Sequence, residues 1–342
     1  MRRWRDLTVV GVAIVAIIVL LVVLGGSKSE QALPPATTTT ATTLGPTTTT
    51  TTLPEQQLGG PSGIRLLVSS QRGVFLVDLD RGTRSLVSPS TSASYSVLPH
   101  GVVAQDGKGV EYLDDGADQP GLLLGTADVV LASPRADRLW LVGYSSANAR
   151  VREVDTSGAA TAGPFDITAA GVMYATDDAL VTSIHGVVQA FDRQGRSRAI
   201  GTGQVLAAGG RSVVVSMCEG ATCGLSVIDV STGATTTVDG FVDPGALRTP
   251  PGRVSPDGRT AAIFDTAEDS VRVRLVDLAT GRITNSGPAL DATGPALLAW
   301  SRDSRWLFCS NGGAVQALAV DGSGAQPIDI GELAPAMSLA AI

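Results

Sequence analysis

The stretch RLVDLATG, Arg274–Gly281, decides the fold. It joins an apolar run to an aspartate, Asp277, with a glycine four residues later. A carboxylate with a catalytic task should appear once or twice in a chain. This one recurs as FLVDLDRG, YLDDG, REVDTSG, QAFDRQG, SVIDVSTG and LAVDGSG, with Asp78, Asp114, Asp155, Asp192, Asp229 and Asp321 at the same place. Successive aspartates lie 36, 41, 37, 37, 48 and 44 residues apart. A period near forty marks a repeat architecture, and all-β units of that length read as propeller blades. A parallel β-helix ranks below, because its coils are usually shorter. An aspartate can accept a hydrogen bond from the backbone about two residues ahead, and the glycine takes the left-handed conformation. All seven aspartates are therefore expected to form hairpin turns between the third and fourth strands of a blade.

Within each unit, short Val/Ile/Leu-rich runs are split by Gly, Asp, Asn and Ser, as in RTAAIFD, SVRVRLVD and RITNSG. That is the pattern of meandering antiparallel strands. A second motif marks the turn between first and second strands: VSPDGRTAAI at Val254–Ile263, WSRDSRWLF at Trp300–Phe308 and ASPRADRLWL at Ala132–Leu141. Pro presets one turn dihedral and Gly accepts positive φ. With its SPDGR turns and its strands ending in Val-Asp before Thr-Gly, the segment Gly63–Ile342 resembles the TolB-like and WD-repeat-like propellers of bacteria. That resemblance implies a propeller and says little about function.

The ends suggest how the ring closes. The first unit opens at GIRLLVSS with three strands, whereas the last holds four and is followed by MSLAAI. This surplus strand can complete the first blade and remove exposed edges. The expectation is one all-β propeller of seven four-stranded blades, with six or eight as alternatives.

The N-terminus is read differently. Leu7–Gly26 carries no charge over twenty positions. As a helix it rises about 30 Å, enough to cross a bilayer core. Arg2, Arg3 and Arg5 precede it, so the positive-inside rule keeps that end cytoplasmic and exports the rest. A cleaved signal peptide is the competing reading; it usually has an apolar region of only about 7–15 residues and a small-residue cleavage site. No cysteine follows the run, which excludes lipoprotein processing. A Thr/Pro-rich segment comes next, too poor in apolar residues to offset its ordering entropy. The expected domains are a basic tip (1–6), a transmembrane signal anchor (7–26), a disordered linker (27–60) and the propeller (61–342).

Beyond the first thirty residues, 21 basic residues face 30 acidic ones. Such a surface repels phosphate backbones, which argues against nucleic-acid binding. G-x-S-x-G, H-E-x-x-H, P-loop and C-x-x-C motifs are missing, so no cofactor, metal or catalytic residue is expected. DLDRG at Asp78–Gly82 imitates an EF-hand start, but its twelfth position is Pro89. Cys218 and Cys223 bracket EGAT between two strands, where facing positions of an exported hairpin suit a disulfide. Cys309 lies mid-strand as a buried free thiol.

In a four-stranded blade the first-to-second and third-to-fourth turns share one end of the ring. The second-to-third turns and the blade-to-blade links share the other, and the longer irregular loops fall there. Binding commonly resides on loops held by a rigid scaffold. His185, Arg248, Glu268 and Asp269 are the candidate partner-binding residues. The functional expectation is a membrane-tethered, extracytoplasmic, non-catalytic module that binds a protein, peptide or glycan at the cell envelope. The alternative is a propeller enzyme with a channel-mouth site, lactonase- or quinoprotein-like.

Overall fold

The computed structural model describes residues 51–342 except 89–93, 108, 115–120, 133–136, 147, 169–170, 220–221, 244–251, 268–269, 291–294 and 312–313. The expected anchor and most of the expected linker lie outside the described residues. Seven antiparallel sheets are arranged as blades. The innermost strands of blades 2 to 7 are Ser94–Leu98, Val129–Ala132, Met173–Ala175, Gln204–Gly209, Arg253–Val254 and Ala296–Trp300. Three more strands follow each of these outward in chain order.

Blade 1 is built from both ends of the described chain. Its innermost strand is the C-terminal Ser338–Ala341, which pairs antiparallel with Arg65–Ser70 in the register Leu66↔Ala341 and Val68↔Leu339. Gly73–Asp78 and Thr83–Ser88 complete it outward. The surplus strand therefore closes the ring, as its sequence suggested.

Seven apolar clusters hold the blades together, each spanning two adjacent blades. Leu206, Val214, Val254 and Ile263 join blades 5 and 6. Phe264, Leu275, Trp300 and Leu307 join blades 6 and 7. Leu66, Val77, Phe308 and Ile328 join blades 7 and 1. Middle strands are covered on both faces, so they read as unbroken apolar runs, and Val213, Val214 and Val215 are all buried. Outer strands are wetter: Thr83–Ser88 is half-buried to exposed along its length. In blades 1 to 6 a register shift interrupts the pairing of third and fourth strands. Such bulges increase the local right-handed twist.

The first described strand, Thr51–Thr52, lies within the segment 27–60 read from composition as a linker. Thr51–Thr52 pairs with Thr83 and Arg84 on the outer edge of blade 1. Leu53 and Leu58 pack against the cluster between blades 7 and 1. The Gln57 amide donates to the Asp329 carbonyl at 3.2 Å, and its oxygen accepts from the Asp329 N–H at 2.7 Å. Two leucines and one amide are enough to dock a segment whose overall composition reads as unstructured.

Candidate functional site

The repeated aspartates end third strands or directly follow them. Asp277 Oδ1 accepts from the Ala279 N–H at 3.1 Å, the Thr280 N–H at 2.7 Å and the Thr280 hydroxyl at 2.7 Å. Asp229 does the same with Ser231 and Thr232. Asp78, Asp155, Asp192 and Asp321 each accept at Oδ1 from the N–H two residues ahead. The turn beyond Asp114 lies outside the described residues. These bonds favour the charged form: the Ser231 hydroxyl first, then the Thr232 N–H, hold the Asp229 carboxyl down to about 2. Gly281 takes φ +69°, and a Cβ there would sit 2.4 Å from the Thr237 carbonyl of blade 5. The carboxylate oxygen of Asp277 is thus engaged by its own turn.

The first-to-second turns of blades 6 and 7 share a different device. The Ser255 hydroxyl donates to Asp257 Oδ1 at 2.6 Å and accepts from the Thr260 N–H at 3.0 Å. In blade 7, the Ser301 hydroxyl donates to Asp303 Oδ1 at 2.6 Å and accepts from the Trp306 N–H at 2.9 Å. Both serines are buried. Gly258 takes φ +70° in one turn, and Ser304 holds φ +60° at the equivalent place in the other. The Ser304 hydroxyl accepts from the Asp257 N–H at 3.0 Å, so the two turns are also tied to each other.

These turns form the rim of a cavity of about 500 Å³ in the central channel. Its wall comes from the inner strands of blades 1, 2, 3, 6 and 7, including Leu339, Tyr95, Ala132, Arg253 and Trp300. Pro99, Pro256, Asp257, Arg302 and Asp303 stand at the rim. Arg302 Nη2 donates to the Gly101 carbonyl at 3.0 Å, bridging blades 7 and 2. The Trp300 indole N–H donates to the Arg253 carbonyl at 3.2 Å. Arg253 reaches water through the channel, while protein surrounds the channel around it. That enclosure lowers the Arg253 guanidinium from its ordinary value, and neighbouring Tyr174 of blade 4 acts in the opposite direction. Burial pushes the Tyr174 hydroxyl up to about 12 against the pull of Arg253. Burial, followed by the Asp106 carboxylate, pushes Tyr95 up to about 12 as well. Both phenols are protonated donors at neutral pH.

Two other hollows lie off the channel. One, of about 650 Å³, lies between blades 2 and 3 at the opposite end and is walled by small or polar residues such as Gln105, Asp106, Gly109 and Asp128. The other, of about 300 Å³, lies between blades 4 and 5 beside Arg196, Arg198 and Arg211. The channel cavity combines apolar walls with a few convergent polar groups, the usual make-up of a ligand site.

The same fold occurs in apo AztD from Citrobacter koseri (TM-score 0.50, 10% identity, 82% of this chain and 97% of that one). It also occurs in TolB from Acinetobacter baumannii (TM-score 0.50, 13% identity, 83% and 68%). The fold is that of a TolB-like propeller. Hsv2 from Kluyveromyces marxianus is a further likeness (TM-score 0.51, 11% identity, 73% and 86%). No protein-family model and no curated protein sequence matches the chain.

Within this TolB-like propeller, His185 is the one partner-binding candidate from the sequence that lies among the described residues. His185 sits with Gly186 in the two-residue turn between the second and third strands of blade 4, at φ +51° and +78°. That turn is at the opposite end of the ring from the channel cavity. Arg248, Glu268 and Asp269 lie outside the described residues. Cys218 faces Cys223 across the second and third strands of blade 5. Cys309 is a buried free thiol, pushed up to about 12 by burial. Among the described residues, no group of three or more His, Cys, Asp and Glu side chains could hold a metal ion.

Sequence reasoning missed Arg253, Tyr174, Trp300 and Tyr95. A signal was present: Arg253 and Trp300 each stand on an inner strand one or two residues before a Ser-x-Asp turn. Reading those turns as the rim of the channel would have pointed to them.

Proposed function

We propose that the protein is a non-catalytic binding module of the cell envelope, held outside the membrane by its N-terminal segment, with its binding site at the channel mouth ringed by the Ser-x-Asp turns. The observation that carries this reading is the cavity of about 500 Å³ to which the inner strands of five blades contribute. Its rim is preorganised, because both Ser–Asp pairs are already hydrogen-bonded. A rigid rim lowers the ordering cost of binding. The expected partner is a protein, peptide or glycan of the envelope that inserts a small group into the channel.

The tether in this reading runs from Ser27 to the first described strand, Thr51–Thr52. Fully extended as polyproline II it would reach about 75 Å. The compartment also suits a Cys218–Cys223 disulfide, which the cross-strand register allows.

Photo-crosslinking in cells, with the crosslinker placed in the full chain, tests the site. Positions Ser96 and Pro99 at the channel mouth are expected to capture a partner, and His185 at the other end is not. Capture from His185 alone would move the site to the long-loop end and overturn the assignment.

A further inference from the structure

We propose that the channel cavity binds its ligand through an anionic group, with Arg253 as counter-charge. The inference rests on the channel-mouth reading above and names the chemistry of what enters. Its starting point is a contrast among arginines. Arg193 Nε stands 3.2 Å from Glu153, Arg274 2.9 Å from Asp265 and Arg196 2.7 Å from Asp192. Arg302 donates to the Gly101 carbonyl. In the cleft between blades 4 and 5, Arg198 donates to the Val230 carbonyl and Arg211 to the Ser231 hydroxyl. Arg253 lines the channel cavity, and among the described residues no carboxylate is paired with it.

Arg253 is exposed to the channel, so its guanidinium is open to a ligand's counter-charge. Low-dielectric channel walls also focus its field on whatever enters. The acids nearby are committed elsewhere. Asp257 and Asp303 stand at the rim, each with Oδ1 taken by a serine hydroxyl and by a backbone N–H two residues ahead. Arg253 precedes the Ser255–Arg259 turn by two residues, so it stands about 7 Å deeper than the rim along the strand. A ligand's anion therefore passes the rim to meet the charge inside. The walls there are apolar, with Val97, Leu298, Trp300 and Leu339 lining the cavity. The fitting ligand is a carboxylate or phosphate group on a compact apolar body.

Calorimetric titration of the full chain in detergent, with phenylacetate, its neutral amide phenylacetamide and inorganic phosphate, tests this. Phenylacetate is expected to bind at least tenfold more tightly than the amide, the margin of a charge-assisted hydrogen bond. Arg253→Gln is expected to remove that margin and Arg253→Lys to keep most of it. Thermal melts show whether each variant is folded, and Arg253→Lys keeps the test valid if Arg253→Gln is not. Tighter binding of phosphate than of phenylacetate would support the anion site and identify phosphate as the group recognised. Equal binding of acid and amide would overturn the anion inference and leave the channel site standing. Absence of binding by all three probes would overturn the inference too. Capture from Ser96 and Pro99 would then separate that outcome from failure of the channel-mouth reading itself.

Discussion

At one end of the ring, the first turns of blades 6 and 7 use a buried serine and an aspartate to close themselves, and a hydrogen bond between Asp257 and Ser304 joins them. At the other end, blade 4 turns through only His185 and Gly186, both at positive φ, and the hollow there is walled by small and polar residues. The first end spends its turn side chains on its own backbone and gains a fixed rim around the channel. At the second, the His185 turn rests on backbone geometry alone. The lesson is that acidic residues which look available for chemistry are occupied by turns. Arg253, with no carboxylate paired to it among the described residues, sits inside the ring and not on a loop.

The largest expected effect removes what both ends depend on. Ending the chain at Ala336 deletes the inner strand of blade 1 and opens the ring. The loss should approach the whole stability of a domain, about 5–15 kcal/mol, and abolish the cooperative melt seen by circular dichroism. A sharp transition in the truncated chain would show that closure is not what holds the two ends in place.

Changing Ser255 and Ser301 together to Ala strikes the rim alone. Each change leaves a carboxylate oxygen and a backbone N–H short of a partner, at a cost of about 1–3 kcal/mol per site in urea unfolding. A double variant as stable as the parent would mean that the rim is not preorganised by these pairs.

The opposite end has its own candidate staple. Alkylation of the denatured, unreduced chain should modify one thiol, Cys309, and mass spectrometry should count three after reduction. Closing so short a loop is worth about 2 kcal/mol, so reductant should lower the melting temperature modestly. Three thiols in the unreduced chain would remove the staple.

Smaller still are the third-to-fourth turns. Asp277→Ala should cost about 1 kcal/mol and leave partner capture unchanged. Lost capture at unchanged stability would restore a functional role to the carboxylate. Asp229 sharpens this through pH. Its folded pKa, about 2, lies below the ordinary 3.8, so its contribution is complete above about pH 5 and is lost as pH falls toward 2. Asp229→Asn should flatten that part of the acid-unfolding curve.

His185→Asn should change stability least, by under about 0.5 kcal/mol, because asparagine tolerates the left-handed region well. A larger loss on thermal unfolding would show that His185 does more than turn the chain.

Much of the fold was legible because its information is local and repeated. Asp277 and Gly281 carry a turn within five residues, and seven copies at a period near forty count the blades. The spare strand at Ser338–Ala341 follows from that count, since a ring must pair its last edge with its first. Thr51, Leu53 and Leu58 sit at the end of a threonine-rich segment, and their docking on blade 1 and its neighbour is not legible from composition. The site was hidden for a related reason. Arg253, Trp300 and Tyr95 come from three blades, and nothing in their separate neighbourhoods says that they line one cavity. Gly281 shows the same division within one residue: its positive φ belongs to its own turn, whereas the absence of room for a Cβ is imposed by Thr237 of another blade. By itself the chain determined its strands, turns and blade number, which depend on near neighbours. The tertiary structure alone decided what faces the channel, because closing the ring brings together residues as distant as Tyr95 and Trp300 around one enclosed space.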